Sequence, residues 1–254
     1  MHKSIRALCA ASLLAGTALA ATPAFADEDA SDFTISGGTS LVTDYRFRGV
    51  SQSGDDLAIQ GTINVTHSTG IYVGTWASSL EELNGYGSTE VDLYAGWKGE
   101  VMSGLTADVG LTYYWYPNSG VGDDLNIWEP YVKLSTTLGP VSGTLGVAYS
   151  PDQSSLDFGA DGGNDDNLYI FTDLSAAIPG MPITVSGHLG YTDGAITFVD
   201  DGSAFDWSVG ASYAVTKNVS VGVSYIGVEA DHSWDHSPFY TTKDTVVGTL
   251  SLSF

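Results

Sequence analysis

Cysteine is almost missing from these 254 residues: there is one, Cys9. It lies early in the apolar stretch "ALCAASLLAGTALA", which follows Lys3 and Arg6 and leads to the small-x-small triplet Ala24, Phe25, Ala26. Positive, then apolar, then small residues is the pattern of a cleaved secretory leader, predicting a signal peptide over 1–26 and a mature start at Asp27. Cys9 precedes most of the apolar region, which is the wrong place for lipid attachment. A mature chain without thiols suits an exported protein that uses no disulfide.

Basic residues are the next scarcity. Lys and Arg number 8 against 30 Asp and Glu, a formal charge of −22. Loss of Lys3 and Arg6 with the leader leaves six bases against thirty acids, a formal −24. Nucleic acid is excluded as a partner, because its phosphates need a basic face. Long apolar runs are absent too. Nothing after residue 26 approaches the roughly 20 residues of a spanning helix. If this chain enters a membrane, strands hold it there.

What is abundant is β material: 31 Gly and 14 Tyr, with only 15% of residues charged. After a short acidic segment, 27–32, the chain falls into runs of about ten residues with period-2 alternation. The pattern predicts twelve strands: 33–47, 57–66, 71–79, 89–98, 104–116, 127–138, 141–150, 167–178, 183–192, 205–215, 219–228 and 241–254. In "FDWSVGASYAV" Phe205, Trp207, Val209, Ala211 and Tyr213 share one face, against Asp206, Ser208, Gly210 and Ser212. Alternation alone also fits a soluble sandwich.

The connections decide between the two. Short links ("HSTG", "GEVMS", "GP", "PGMP", "TKN") alternate with long ones at 48–56, 80–88, 117–126, 151–166, 193–204 and 229–240. An up-and-down meander then carries all its long loops at one end, as outer-membrane barrels do. A Greek-key sandwich has no reason for that asymmetry. The chain ends in "TLSLSF", with Leu250, Leu252 and the terminal Phe254 on one face. This resembles the C-terminal signature by which barrel assembly machinery recognises its clients. Trp76, Tyr113, Trp115, Trp128, Tyr149, Tyr191, Phe205 and Trp207 fall at the long-loop end, and Tyr72, Trp97 and Phe254 at the other. Both sets are expected as lipid-interface girdles. The fold class expected for 33–254 is therefore all-β: a transmembrane antiparallel up-and-down barrel of the Gram-negative outer-membrane type.

The acids follow the same map. Seventeen of the 30 lie in the long loops. Glu90, Asp92, Asp108, Glu129, Asp173 and Asp206 fall on the polar faces of strands, where a wet lumen spares them the cost of lipid. These six, with Lys133, Arg46 and Arg48, are the expected pore-lining residues. The only mature arginines stand two apart in "TDYRFRGVSQS" (43–53). Read as the end of strand one, this stretch sends Tyr45 and Phe47 to lipid and both arginines to the lumen. There they could select anions, as charged rings do, or brace strand carboxylates such as Glu90 or Asp92. The excess of acid favours the brace.

Three other constellations deserve weighing. Asp161, Asn164, Asp165 and Asp166 in "ADGGNDDN" could ligate calcium, but their spacing matches no EF-hand, and a solvated acidic loop is the default. His232 and His236 in "DHSWDH" have a helical metal-site spacing, yet fall in a loop before Pro238. A hydrolytic arrangement from His188, Ser186 and Asp173 lacks any GxSxG elbow. No cofactor and no catalysis are expected; divalent cations could bridge the acidic loops to lipopolysaccharide.

"TDYRFRGVSQS", following a leader and a Gly/Ser/Thr-rich strand, resembles the N-terminal signature of the TorF family of porins. The same family is catalogued as Gcw_chp, bacterial proteins of unknown function. The likeness extends over the mature chain in length, strand pattern and terminal Phe, with motif-level identity at 43–53. It implies transport across the outer membrane and supplies no substrate or catalytic residue. The expected function is passive diffusion of small solutes through a narrow, cation-preferring pore. A closed barrel serving as adhesin or envelope-structural protein is the alternative, and an outer-membrane hydrolase a distant third.

Overall fold

The computed structural model describes residues 31–82, 86–119, 125–156, 166–197, 202–229 and 241–254. Twelve antiparallel strands close into a barrel: β1 (Phe33–Val42), β4 (Ala58–His67), β5 (Ile71–Ser79), β6 (Thr89–Met102), β7 (Leu105–Trp115), β8 (Ile127–Leu138), β9 (Val141–Ser150), β10 (Asn167–Ala177), β11 (Ile183–Gly194), β12 (Ser203–Ala214), β13 (Val219–Glu229) and β14 (Thr245–Ser253). Each pairs with its neighbours in sequence, and β1 closes the ring by pairing with both β4 and β14. Closure leaves no strand edge, the condition for spanning lipid with strands. Two short strands, β2 (Arg46–Phe47) and β3 (Val50–Ser51), form a separate hairpin.

Alternation becomes inside and outside. Ile63, Val73, Leu145, Leu174, Leu189 and Val209 point outward, each more than half exposed. An apolar belt of that extent would be intolerable on a water-soluble protein and is what a bilayer covers. Rings pair on the outer face near the long loops, Tyr113 with Trp128 at 4.1 Å and Tyr191 with Phe205 at 4.8 Å between centroids. Trp97 and Phe254 lie outside at the short-turn end. Leu145, mid-way along β9 and directly opposite Leu134, makes the belt testable. Leu145→Arg should cost about 2–4 kcal/mol of folding free energy, read by denaturant unfolding in vesicles.

The largest departures from the expected boundaries are in β1, in β6 and at the start of β14. β6 runs on to Met102, so the turn expected at 99–103 shrinks to Ser103 and Gly104, whose amide donates to the Glu100 carboxylate at 2.8 Å. Strand one stops at Val42, five residues early. Thr43 makes the last wall contacts, its amide donating to the Gly248 carbonyl at 3.0 Å and its hydroxyl accepting the Gly248 amide at 2.9 Å. From Asp44 the chain leaves the wall.

Candidate pore and its plug

All ten residues from Asp44 to Ser53 are buried. They fold into the lumen instead of looping outward, so Tyr45 and Phe47 are not lipid anchors: Tyr45 packs on Trp76 of β5 and Phe47 edge-on to Tyr114 of β7. The hairpin turns at Arg48 and Gly49 with φ of 49° and 82°. Two positive φ values in a two-residue loop define the type I′ turn that matches strand twist. Glycine adopts this freely; arginine does not, and strain at a non-glycine residue persists only where surrounding contacts over-determine it.

Those contacts are charged. Arg48 Nη2 donates to Glu129 Oε2 at 2.6 Å, and its guanidinium lies 4.2 Å over the Tyr169 ring and 4.8 Å over Phe47. Glu129 also accepts from Tyr114 at 3.0 Å and Ser150 at 3.1 Å. Burial disfavours the charged guanidinium, but the Glu129 carboxylate together with Tyr114 and Tyr169 outweighs it and holds Arg48 above the ordinary arginine pKa. Arg46 binds Asp44 through Nε and Asp55 through Nη2 at 2.7 Å, while Nη1 donates to the carbonyls of Gly49, Thr241 and Lys243, each at 3.0 Å. It thereby ties the hairpin to itself and to the segment entering β14, which begins at Thr245 and not at 241 as expected. Ser51 donates to Asp44 at 2.6 Å and its amide to Thr241 at 3.0 Å.

The brace between arginine and strand carboxylate therefore exists, but its partner is Glu129, with neither Glu90 nor Asp92 engaged by a described cation. Tyr45 donates to Glu90 instead, at 3.3 Å. Burial, with Glu90 and Asp92 close by, keeps this phenol well above its ordinary pKa and so protonated. Gly49 sits so tightly against β12 and β13 that a Cβ there would lie 2.7 Å from Val228 and 3.2 Å from the Asp206 side chain. The hairpin thus touches β5, β6, β7, β8, β10, β12 and β13. It crosses the bore as a plug.

Leu80, Leu156 and Ile196, from segments at the long-loop end, turn inward and join Tyr45, Phe47 and Tyr114 in an apolar core within the barrel mouth. Below the plug the lumen is polar. His188 of β11 bridges two strands, with Nδ1 at 2.7 Å from Asp173 and Nε2 at 2.9 Å from Asp206. Both imidazole nitrogens of His188 are engaged by carboxylates. Tyr72 donates to Asp108 at 2.6 Å and also meets the Tyr131 hydroxyl, and Lys133 lies 4.3 Å over the Tyr131 ring. On the wall from β11 to β13, Ser186, Ser208, Ser212 and Ser224 are half-buried and give the face small hydroxyl side chains. Of the expected pore-lining residues, Arg46 and Arg48 lie in the plug, Glu90, Asp92, Asp108, Glu129, Lys133 and Asp206 are buried side chains of wall strands, and Asp173 is half-buried beside His188.

Tyr72 and Trp76, expected at the lipid interface, point inward as well. Their inward strand parity follows that of Gln60, Thr62 and Asn64 on the paired β4. The inward rings lie flat on glycines of neighbouring strands: Tyr94 on Gly74, Tyr131 on Gly110, Phe171 on Gly146. A Cβ at Gly146 would fall 2.2 Å from the Phe171 ring. Gly146→Ala should push that ring into the bore and cost about 1–3 kcal/mol, seen as a lower denaturation midpoint and a smaller conductance. Of the candidate calcium ligands, Asp166 accepts from Tyr149 at 2.8 Å, while Asp161, Asn164 and Asp165, like His232 and His236, lie outside the described residues.

A family model described as "Bacterial protein of unknown function (Gcw_chp)" matches residues 26–254. The chain belongs to the Gcw_chp family. No curated protein matches it by sequence. Among solved structures it is similar to the NanC porin, at 13% identity over 87% of this chain and 98% of that one, with a TM-score of 0.59. It is also similar to the COG4313 outer membrane channel from Pseudomonas putida F1, at 12% identity over 86% and 94% of the two chains, with a TM-score of 0.50. At such identities the likeness is one of fold: an outer-membrane porin barrel. What the plug does is a matter for this family member's own residues.

Proposed function

We propose that this Gcw_chp protein is an outer-membrane channel for small solutes whose bore is set by the hairpin 44–53. The observation that carries this is the inversion of polarity. Glu90, Asp92, Asp108, Glu129, Asp173 and Asp206 all face the interior of a barrel whose exterior is apolar, and an interior built only for stability would not hold so many carboxylates. Against them stand Arg46, Arg48, Lys98, Lys133 and His188, while buried Asp44 of the plug adds a seventh acid, so the lumen keeps a net negative charge and favours cations. The same reading includes a leader removed on export, Phe254 as the handle for barrel assembly machinery, and divalent cations joining acidic loops to lipopolysaccharide.

Planar-bilayer recording tests it. Purified protein should give single-channel steps whose reversal potential in a salt gradient is on the cation side. The crossing of the bore by the plug favours a second reading, a barrel held shut whose loops act as adhesin or envelope scaffold. Steps absent from the wild type but present once Arg48 is replaced would favour that reading. Absence in both would remove the channel altogether.

A further inference from the structure

Glu90 and Asp92 stand two residues apart on the lumen face of β6, only 3% and 4% exposed. Among the described residues no cation forms an ion pair with either. Two residues apart on one face of a strand, their side chains enter the same buried space, where two carboxyl groups can meet only with a proton between them. Asp92 Oδ1 is buried and has no partner. The groups facing the pair supply no positive charge: Tyr45 from the plug, Tyr94 on β6 itself, Tyr114 from β7, Glu129 from β8 and Tyr116 from the segment after β7. Ser78 and Trp76 of β5 sit opposite them. Both arginines of the plug are committed elsewhere, Arg48 to Glu129 and Arg46 to Asp44 and Asp55.

We infer that Glu90 and Asp92 form a proton-binding site that holds one shared proton while the plug is seated, and that losing this proton releases the plug. The inference rests on the channel reading above. Two ionised carboxylates side by side in a dry site with no cation repel each other and lack solvation. Hydration would relieve both, and in the seated state the Tyr45 hydroxyl of the plug occupies that place on Glu90. The seated state therefore binds one more proton than the displaced state. Its extra stability is present at low pH and is lost as pH rises through the titration of the pair.

The test reads plug position without using conductance. In a Cys9→Ser background, Val50→Cys places a thiol on the buried arm of the hairpin, and Leu57→Cys places one on the exposed segment after it. Labelling by a membrane-impermeant maleimide is followed in lipid vesicles from about pH 5 to about pH 8, and the Val50→Cys rate is divided by the Leu57→Cys rate to remove the thiol's own titration. The ratio should rise by about tenfold across that range. With Glu90→Gln, or separately Asp92→Asn, it should stay flat, in protein whose heat-modifiable migration proves the barrel intact. A flat ratio with both carboxyls present overturns the inference. So does a ratio that changes at fixed pH when calcium is added or chelated, because a metal ion would then be the neutralising group. Wild-type conductance is recorded separately, so loss of the channel reading and loss of the proton site are distinguishable.

Discussion

Arg48→Ala should unseat the plug and raise single-channel conductance severalfold while leaving the barrel assembled. The substitution removes the 2.6 Å contact to Glu129 and the stacking over Tyr169 and Phe47. Glu129, 2% exposed, keeps its bonds from Tyr114 and Ser150 but loses its counter-charge. Breaking one side of a buried ion pair costs about 3–5 kcal/mol, because a charge is left buried and uncompensated. Applied to the seated state alone, that shifts the equilibrium between seated and displaced hairpin by at least about a hundredfold. None of the twelve-strand ladder passes through Arg48, so the protein should still migrate as a compact, heat-modifiable band. A variant with wild-type conductance would mean that the hairpin is held by Arg46 and packing alone. A variant that fails to assemble would mean that the hairpin is part of the barrel's folding core.

The wall of this barrel was legible in the sequence and the plug was not, for a physical reason. Period-2 alternation and the short–long alternation of connections are local properties repeated twelve times, so errors at single boundaries leave topology and facing intact. That is why Asp108, Glu129, Asp173 and Asp206 could be placed on the lumen side from parity alone. The hairpin occurs once. "TDYRFRG" continues the parity of β1 without interruption, so Tyr45 and Phe47 read as lipid-facing like Leu41. Nothing local marks the point after Val42 where the chain leaves the wall. The turn signal is weak as well, because type I′ turns favour Asn-Gly and here the first position is Arg48. What compensates for that unfavourable φ is Glu129, eighty-one residues away and invisible to any local rule. The hydroxyls were the available clue: Ser51 and Ser53 both lie within hydrogen-bonding distance of Asp44 Oδ1, a spacing that suits a hairpin better than a strand. Charge counting found the need for a brace, but reach in three dimensions chose the partner.

Replacing both members of the pair should close what the single substitution opens. Arg48→Met with Glu129→Leu removes the two charges together and fills their place with side chains of similar bulk. Exchanging a buried ion pair for well-packed apolar residues is commonly neutral, or stabilising by about 1–4 kcal/mol, since both charges escape desolvation. The surroundings favour that outcome: Tyr169 and Phe47 present ring faces to the site, and the apolar core of Tyr114, Leu156 and Ile196 lies at the same mouth. Methionine at position 48 bears the same positive φ that arginine does, so backbone strain cancels in the comparison. Tyr114 and Ser150 lose their acceptor, a debit of about 1–3 kcal/mol where either hydroxyl finds no other partner. The double variant should therefore return to wild-type conductance or below, while Glu129→Leu alone, which strands the buried guanidinium, should conduct as Arg48→Ala does. Non-additivity of about 3 kcal/mol or more across this cycle would place the latch in the Arg48–Glu129 contact. Additive effects would place it in the Arg46 network, where Asp44, Asp55 and three backbone carbonyls hold the other arm of the hairpin.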